Sequence, residues 1–146
     1  MKSKLLFEEN GLKTFALVFE KDEELKQPLL AFANKNGLSG AQLTAIGALS
    51  EVTIGYFDRE TKTYKPIRIQ EQVEVLSFVG NIACIENDPK LHAHVVLGKS
   101  DGTAHGGHFL QGKVWPTLEM IVSETPQHLR RMQDKETGLA LIDLAA

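Results

Sequence analysis

Cysteine is all but missing. Cys84 stands alone among 146 residues, so no internal disulfide framework can form, and a lone thiol in an apolar run fits a reducing compartment. Long hydrophobic runs are missing as well. No stretch nears the about 20 apolar residues of a membrane span, and Leu5-Leu6-Phe7 is too short an apolar run for a signal peptide. These absences predict a cytoplasmic protein with no membrane contact. Basic charge is also scarce: 16 Lys and Arg against 19 Asp and Glu leave a net charge of −3, unlike the basic footprint of a nucleic-acid binder. There are no repeats and no low-complexity tracts. What remains is 42% hydrophobic and 24% charged, a globular composition with enough apolar mass for one core. A single domain over residues 1–146 is expected, with its core at about 13–144.

Strand patterns dominate. Phe15, Leu17 and Phe19 alternate along residues 13–20, the period of a half-buried strand. Asp22, with Glu23 and Glu24 behind it, is a candidate helix start. Leu25, Leu29, Phe32 and Ala33 then form an apolar stripe that Gly37 closes, with Pro28 either separating the first turn or opening the main helix. Further strands are predicted at residues 42–49, 52–57, 63–70, 72–86, 91–97, 103–110, 114–123 and 139–144, with Gly47 and Gly55 permitting bends or close backbone approach. Residues 125–137 are polar and read as irregular or a short helix. One main helix with some eight strands predicts an α+β fold on a largely antiparallel sheet.

Residues 91–112 hold four of the five histidines. Side chains alternate along a strand, so His92 and His94 share a face. Centring the reversal on Ser100 sets His92 opposite His108, and a slip of one pair sets His94 there instead. Either register gathers three rings, because directly opposed Cβ atoms lie about 4.5–5.5 Å apart. Three imidazoles with an open fourth position form a catalytic-type zinc shell. His105 has the opposite parity and joins only if Gly106-Gly107 forms a bulge. Glu74 and Glu119 are the candidate carboxylates for a supporting or acid–base role. The competing reading is a hydrogen-bonded histidine cluster at a subunit interface.

The ordered series Val73-Glu-Val-Leu-Ser-Phe-Val-Gly-Asn-Ile82, Leu91-His-Ala-His94, Asp101-Gly102, Gly106-Gly-His-Phe-Leu-Gln-Gly112 and Thr117-Leu-Glu-Met-Ile-Val122 resembles the PPC domain, the plant and prokaryote conserved domain, also called PCC. The resemblance runs from about Lys13 to Leu144. It implies an α+β domain with a mainly antiparallel sheet that assembles as a homotrimer. It also implies likeness to the acetolactate decarboxylase fold, whose zinc ligands carry over to His92, His94 and His108 and leave His105 out. The acidic and basic catalytic groups of those enzymes have no clear counterpart here, so no activity carries over. Together, the residues and the resemblance predict a site for zinc or another divalent metal, with room for a small anionic ligand. Plant members place this domain beside AT-hooks, whose Arg-Gly-Arg core enters the minor groove. That tripeptide does not occur here. An alternative role is a DNA-associated regulator acting through oligomerisation and partner binding, although the acidic balance opposes direct DNA contact.

Other residues read more plainly. Trp115 is expected at a core or interface, Lys65 and Arg68 as solvated edge charges, Arg130 and Arg131 in an interface ion pair, and His128 at the surface. Cys84 and Ser123 have no neighbouring base motif and are not expected to act as nucleophiles.

Overall fold

The computed structural model describes residues 1–125 and 128–145. Its elements run β1 (Lys2–Glu9), β2 (Leu12–Glu20), α1 (Lys26–Lys35), β3 (Gly40–Asp58), β4 (Thr63–Ile69), β5 (Val73–Ile85), β6 (Asp88–Gly98), β7 (Ala104–Glu124), β8 (Arg130–Gln133) and β9 (Ala140–Asp143). Predicted irregular structure at 125–137 gives way to β8 in part, while residues 126 and 127 lie outside the described residues. β1 has no counterpart among the predicted strands. All eight of its residues are exposed, so no buried face leaves an alternating signature, and it is held by pairing to β2.

The nine strands form one sheet in the order β1-β2-β7-β3-β5-β8-β9, with β4 on β3 and β6 bridging β5 and β7. Because β3 pairs with β5 and β7, and β6 pairs with the same two, these four strands close a ring. Every pairing is antiparallel except the contact of Cys84 with Arg130. The expected α+β, largely antiparallel architecture with one helix is what the chain adopts.

Two predicted breaks are absent. Residues 42–49 and 52–57 belong to the single strand β3, and 103–110, less Thr103, and 114–123 belong to the single strand β7. Register shifts near Gly47 and Leu49 bend β3 without ending it, so one strand serves β5 with its first half and β4 with its second. Gly47 adopts φ 148°, and a Cβ there would run into the Thr117 carbonyl. Bulges of this kind re-aim a strand while keeping most of its ladder.

The helix begins at Lys26, later than the Asp22 start and close to the alternative start near Pro28. Asp22 sits in a turn at φ 70°, its N–H donating to the Val114 carbonyl at 2.9 Å, and Leu25 occupies the N-cap. The Glu24 carboxylate accepts the Gln27 N–H at 2.8 Å instead. Pro28 is the third helical residue, inside the first turn, where the missing N–H costs nothing. Gly37 at φ 68° ends the helix as expected. Leu29, Phe32 and Ala33 are buried, and Phe32 meets Phe15 edge-on at 5.1 Å. The core continues through Leu17, Phe19, Leu43, Ile54, Phe78, Ile82, Leu97 and Leu118. No helix among the described residues is long and apolar enough to cross a membrane.

Candidate metal centre

The turn between β6 and β7 sets the histidine register. The Asp101 carboxylate accepts the Thr103 N–H at 2.9 Å and its hydroxyl at 2.6 Å, and these bonds hold its carboxyl below the usual range. Gly102 takes φ 81°, and Lys99 and Thr103 close the reversal. Gly98 therefore pairs with Ala104, and His94 with His108. The arrangement centred on Ser100 is corrected by one pair. The turn's glycine and aspartate, rather than its midpoint, fix where the ladder begins.

The three rings do converge. One ligating atom from each of His92, His94 and His108 lies within 4.8 Å of the others. His92 Nε2 and His94 Nε2 are 3.3 Å apart. Tetrahedral zinc with Zn–N near 2.0–2.1 Å separates its ligands by about 3.4 Å, so this pair already matches one edge of the shell. The ring centroids of all three pairs fall between 5.2 and 5.4 Å. His105 pairs with Leu97 and stands outside the group, since no bulge interrupts the ladder at Gly106-Gly107.

The second flank of His108 was not legible in the sequence. β3 passes beside it with Gly55 directly opposite, and a Cβ on Gly55 would lie 2.8 Å from Cδ1 of Tyr64. That bare backbone lets the Tyr64 ring lie against His108, with centroids 4.4 Å apart and planes at 21°. Burial raises the Tyr64 phenol, so it stays protonated. The close-approach role foreseen for Gly55 was the available signal. Which ring would fill the space was not.

Burial and neighbouring charge favour the neutral form of two of the rings, His108 and His92. Burial, then the charges of His92 and His94, then Lys26 and Arg131, push His108 down to about 4. Burial, followed by Arg131 and His94, also lowers His92. Neutral imidazole is the form that binds metal. His108 Nδ1 is buried with no hydrogen-bond partner among the described residues. A buried nitrogen left this way is costly, and a ring that ligates a metal through Nδ1 would relieve that cost. The residues fit a divalent ion.

Arg131 is not the interface ion pair expected from the sequence. Only 8% exposed, it donates to Asn81 Oδ1 at 2.6 Å and to the Ala140 carbonyl at 2.7 Å. Asn81 faces His92 across the β5–β6 ladder. Glu74 and Glu119 stand elsewhere, beside Ile46, Leu76 and Thr117 on the exposed sheet face. Glu74 is five positions along β5 from Val79, the residue opposite His94, a run of about 16 Å. That is too far for a hydrogen bond within one chain.

The remaining residues are quickly placed. Trp115 is partly buried with Lys21 Nζ 4.0 Å over its ring, and His128 shares a hydrogen bond with the Ser39 hydroxyl. Lys65 is exposed, and Arg68 lines an open cleft of about 460 Å³ with Glu51 and Lys113. Cys84 is buried, which raises its thiol and leaves it protonated.

The Plants and Prokaryotes Conserved (PCC) domain model matches residues 6–126. Among solved structures, a metal-containing protein from Archaeoglobus fulgidus is 34% identical, covering 97% of this chain and 99% of its own, with TM-score 0.82. A plant- and prokaryote-conserved protein from Pyrococcus horikoshii is 32% identical over 97% of this chain and 94% of its own, with TM-score 0.84. A candidate DNA-binding protein from Bacteroides thetaiotaomicron is 26% identical over 99% of both chains, with TM-score 0.90. α-Acetolactate decarboxylase from Bacillus subtilis shares the fold alone, at 12% identity over 75% of this chain and 51% of its own, with TM-score 0.55. No curated protein matches the chain.

Proposed function

The chain belongs to the Plants and Prokaryotes Conserved domain family, and from that premise we propose a cytoplasmic homotrimer in which each chain holds one divalent ion on His92, His94 and His108. Zinc is the preferred ion, since neutral imidazole suits it and three protein ligands leave a fourth position open. The observation that carries this reading is the convergence of three rings, two of them held neutral by burial, one of which also carries an unpartnered buried Nδ1. The metal-containing relative from Archaeoglobus fulgidus adds support. A bound ion would polarise water or a small anionic ligand at its open position.

The trimer is supported by an apolar groove of about 480 Å³ on the open sheet face, where Ile46, Leu76, Val79 and Ile121 are exposed. Patches of this kind mark protein contacts. Glu74 and Glu119 lie at the same face, so any role for them beside the metal depends on what assembly sets against it.

Metal analysis of the purified protein and of a His92→Ala/His108→Ala variant tests the site. The wild type should carry one ion per chain and the variant almost none. Equal, near-zero content in both would end the metal reading.

A second reading, a DNA-associated regulator working through partner contacts, is favoured by the Bacteroides thetaiotaomicron relative and by a similarly described protein from Ralstonia eutropha. Gel-shift titration at two salt concentrations separates the two. A shift that weakens steeply with salt supports it, and no shift at low salt removes it.

A further inference from the structure

Arg131 presents a charge without an explanation. It is the one charged side chain buried among the described residues, and its two acceptors, an amide oxygen and a peptide carbonyl, are both neutral. A neutral donor could satisfy both. No carboxylate pairs with it among the described residues, and its Nε has no acceptor at all. A buried, unpaired cation is expensive, so a fold that keeps one ordinarily has an anion to set against it.

Its position says where that anion goes. Asn81 ties the guanidinium to the strand pair that carries His92, and its charge reaches both His92 and His108. The group able to hold a metal contains three histidines and no acid. Three neutral ligands leave a dication's charge intact, and Arg131 adds another beside it. Tyr64 walls one face of His108 with a ring whose phenol stays protonated. The surroundings thus offer positive charge with no carboxylate among the described residues to neutralise it.

We propose that Arg131, held by Asn81, selects the ligand of this site, and that the ligand is a small oxoanion, a carboxylate or a phosphate, placed between the guanidinium and the three histidines. The proposal deepens the metal reading and rests on it for the second contact, while the guanidinium supplies the first. Arg131 is a specificity residue here, since charge-assisted bonds from a guanidinium favour planar or tetrahedral oxoanions over neutral isosteres.

Cobalt-loaded protein reports ligand binding through its visible spectrum. Titration with acetate and with inorganic phosphate tells the two sources apart, and acetamide serves as the neutral control. Acetate or phosphate should perturb the spectrum where acetamide does not. R131Q should bind the active anion about tenfold to a hundredfold more weakly, as loss of a hydrogen bond to a charged group implies. R131K should retain most of the affinity. Cobalt content should stay unchanged in both variants.

Arg131 also ties β8 to its neighbours, so R131Q could lose its fold. The Nε–H resonance of Arg131 in the wild-type protein gives a second readout, and it should move on titration with the active anion. Undiminished anion binding by cobalt-loaded R131Q, or an Nε–H signal unmoved by either anion, would overturn the proposal. If the wild type takes up no cobalt, the metal reading fails by itself. The Nε–H titration of the metal-free protein then decides for Arg131, movement upholding its role and a stationary signal ending it.

Discussion

His108 gathers more of the site's physics than any other residue. It faces His94 on one side and Gly55 on the other, stacks on Tyr64, and carries the orphaned Nδ1. Its folded value near 4 lies below the ordinary 6.5, so between those values the unfolded chain binds a proton that the folded chain refuses. Stability therefore falls as pH drops through that window and is insensitive to this ring above it. In chelator-treated protein, the thermal midpoint should drop more between pH 7 and pH 5 for the wild type than for His108→Asn. Equal drops would show that the ring titrates normally in the fold. Gly55 offers a second test at this scale. A side chain there meets Tyr64 at 2.8 Å, so Gly55→Val should lift that ring off His108 and cost about 1–3 kcal/mol in urea unfolding. The His108 ring-proton resonances should also lose the ring-current shift of the stacked tyrosine. Unchanged shifts would mean that the stack does not depend on the glycine.

The β6–β7 hairpin is the element that turns three separated histidines into one group. Its register depends on Gly102 at φ 81° and on the Asp101 carboxylate that braces Thr103. Gly102→Val forces a β-branched residue into that conformation, at a cost of about 1–3 kcal/mol, and should lower metal content as the strands lose their fixed pairing. Full metal content in that variant would show that the ladder, and not the turn, sets the register. The same hairpin shows what the chain discloses about itself. Parity alone gathers His92, His94 and His108 and leaves His105 aside, because two-residue alternation is local. The pair that His108 forms was ambiguous by one step, because it depends on which turn residue takes the left-handed conformation. β3 and β7 were each divided in prediction, because a bulge disrupts periodicity much as a loop does. Tyr64 and Arg131 come from β4 and β8, whose approach to the site is a matter of tertiary closure, and nothing in their local sequence announces it.

For the whole molecule, the open sheet face is where the proposed assembly would join its copies. Ile46 is 61% exposed and Leu76 56%, each larger and more apolar than a solvated sheet face needs. Both border Glu74 and Glu119, so an aspartate at either position adds a third negative charge to a surface that assembly would dehydrate. In the free chain both side chains are more than half exposed, so the same substitution should leave stability within about 0.5 kcal/mol. If the proposed trimer assembles through this face, Ile46→Asp and Leu76→Asp should convert it to monomer in sedimentation analysis while the thermal midpoint of the metal-free chain barely moves. Each monomer should still bind its ion, because His92, His94 and His108 all come from one hairpin of one chain. A variant that sediments as the wild type does would place the interface elsewhere. A monomer that loses its metal would show that the neighbouring subunit completes the shell, and would bring Glu74 and Glu119 back as the carboxylates that do so.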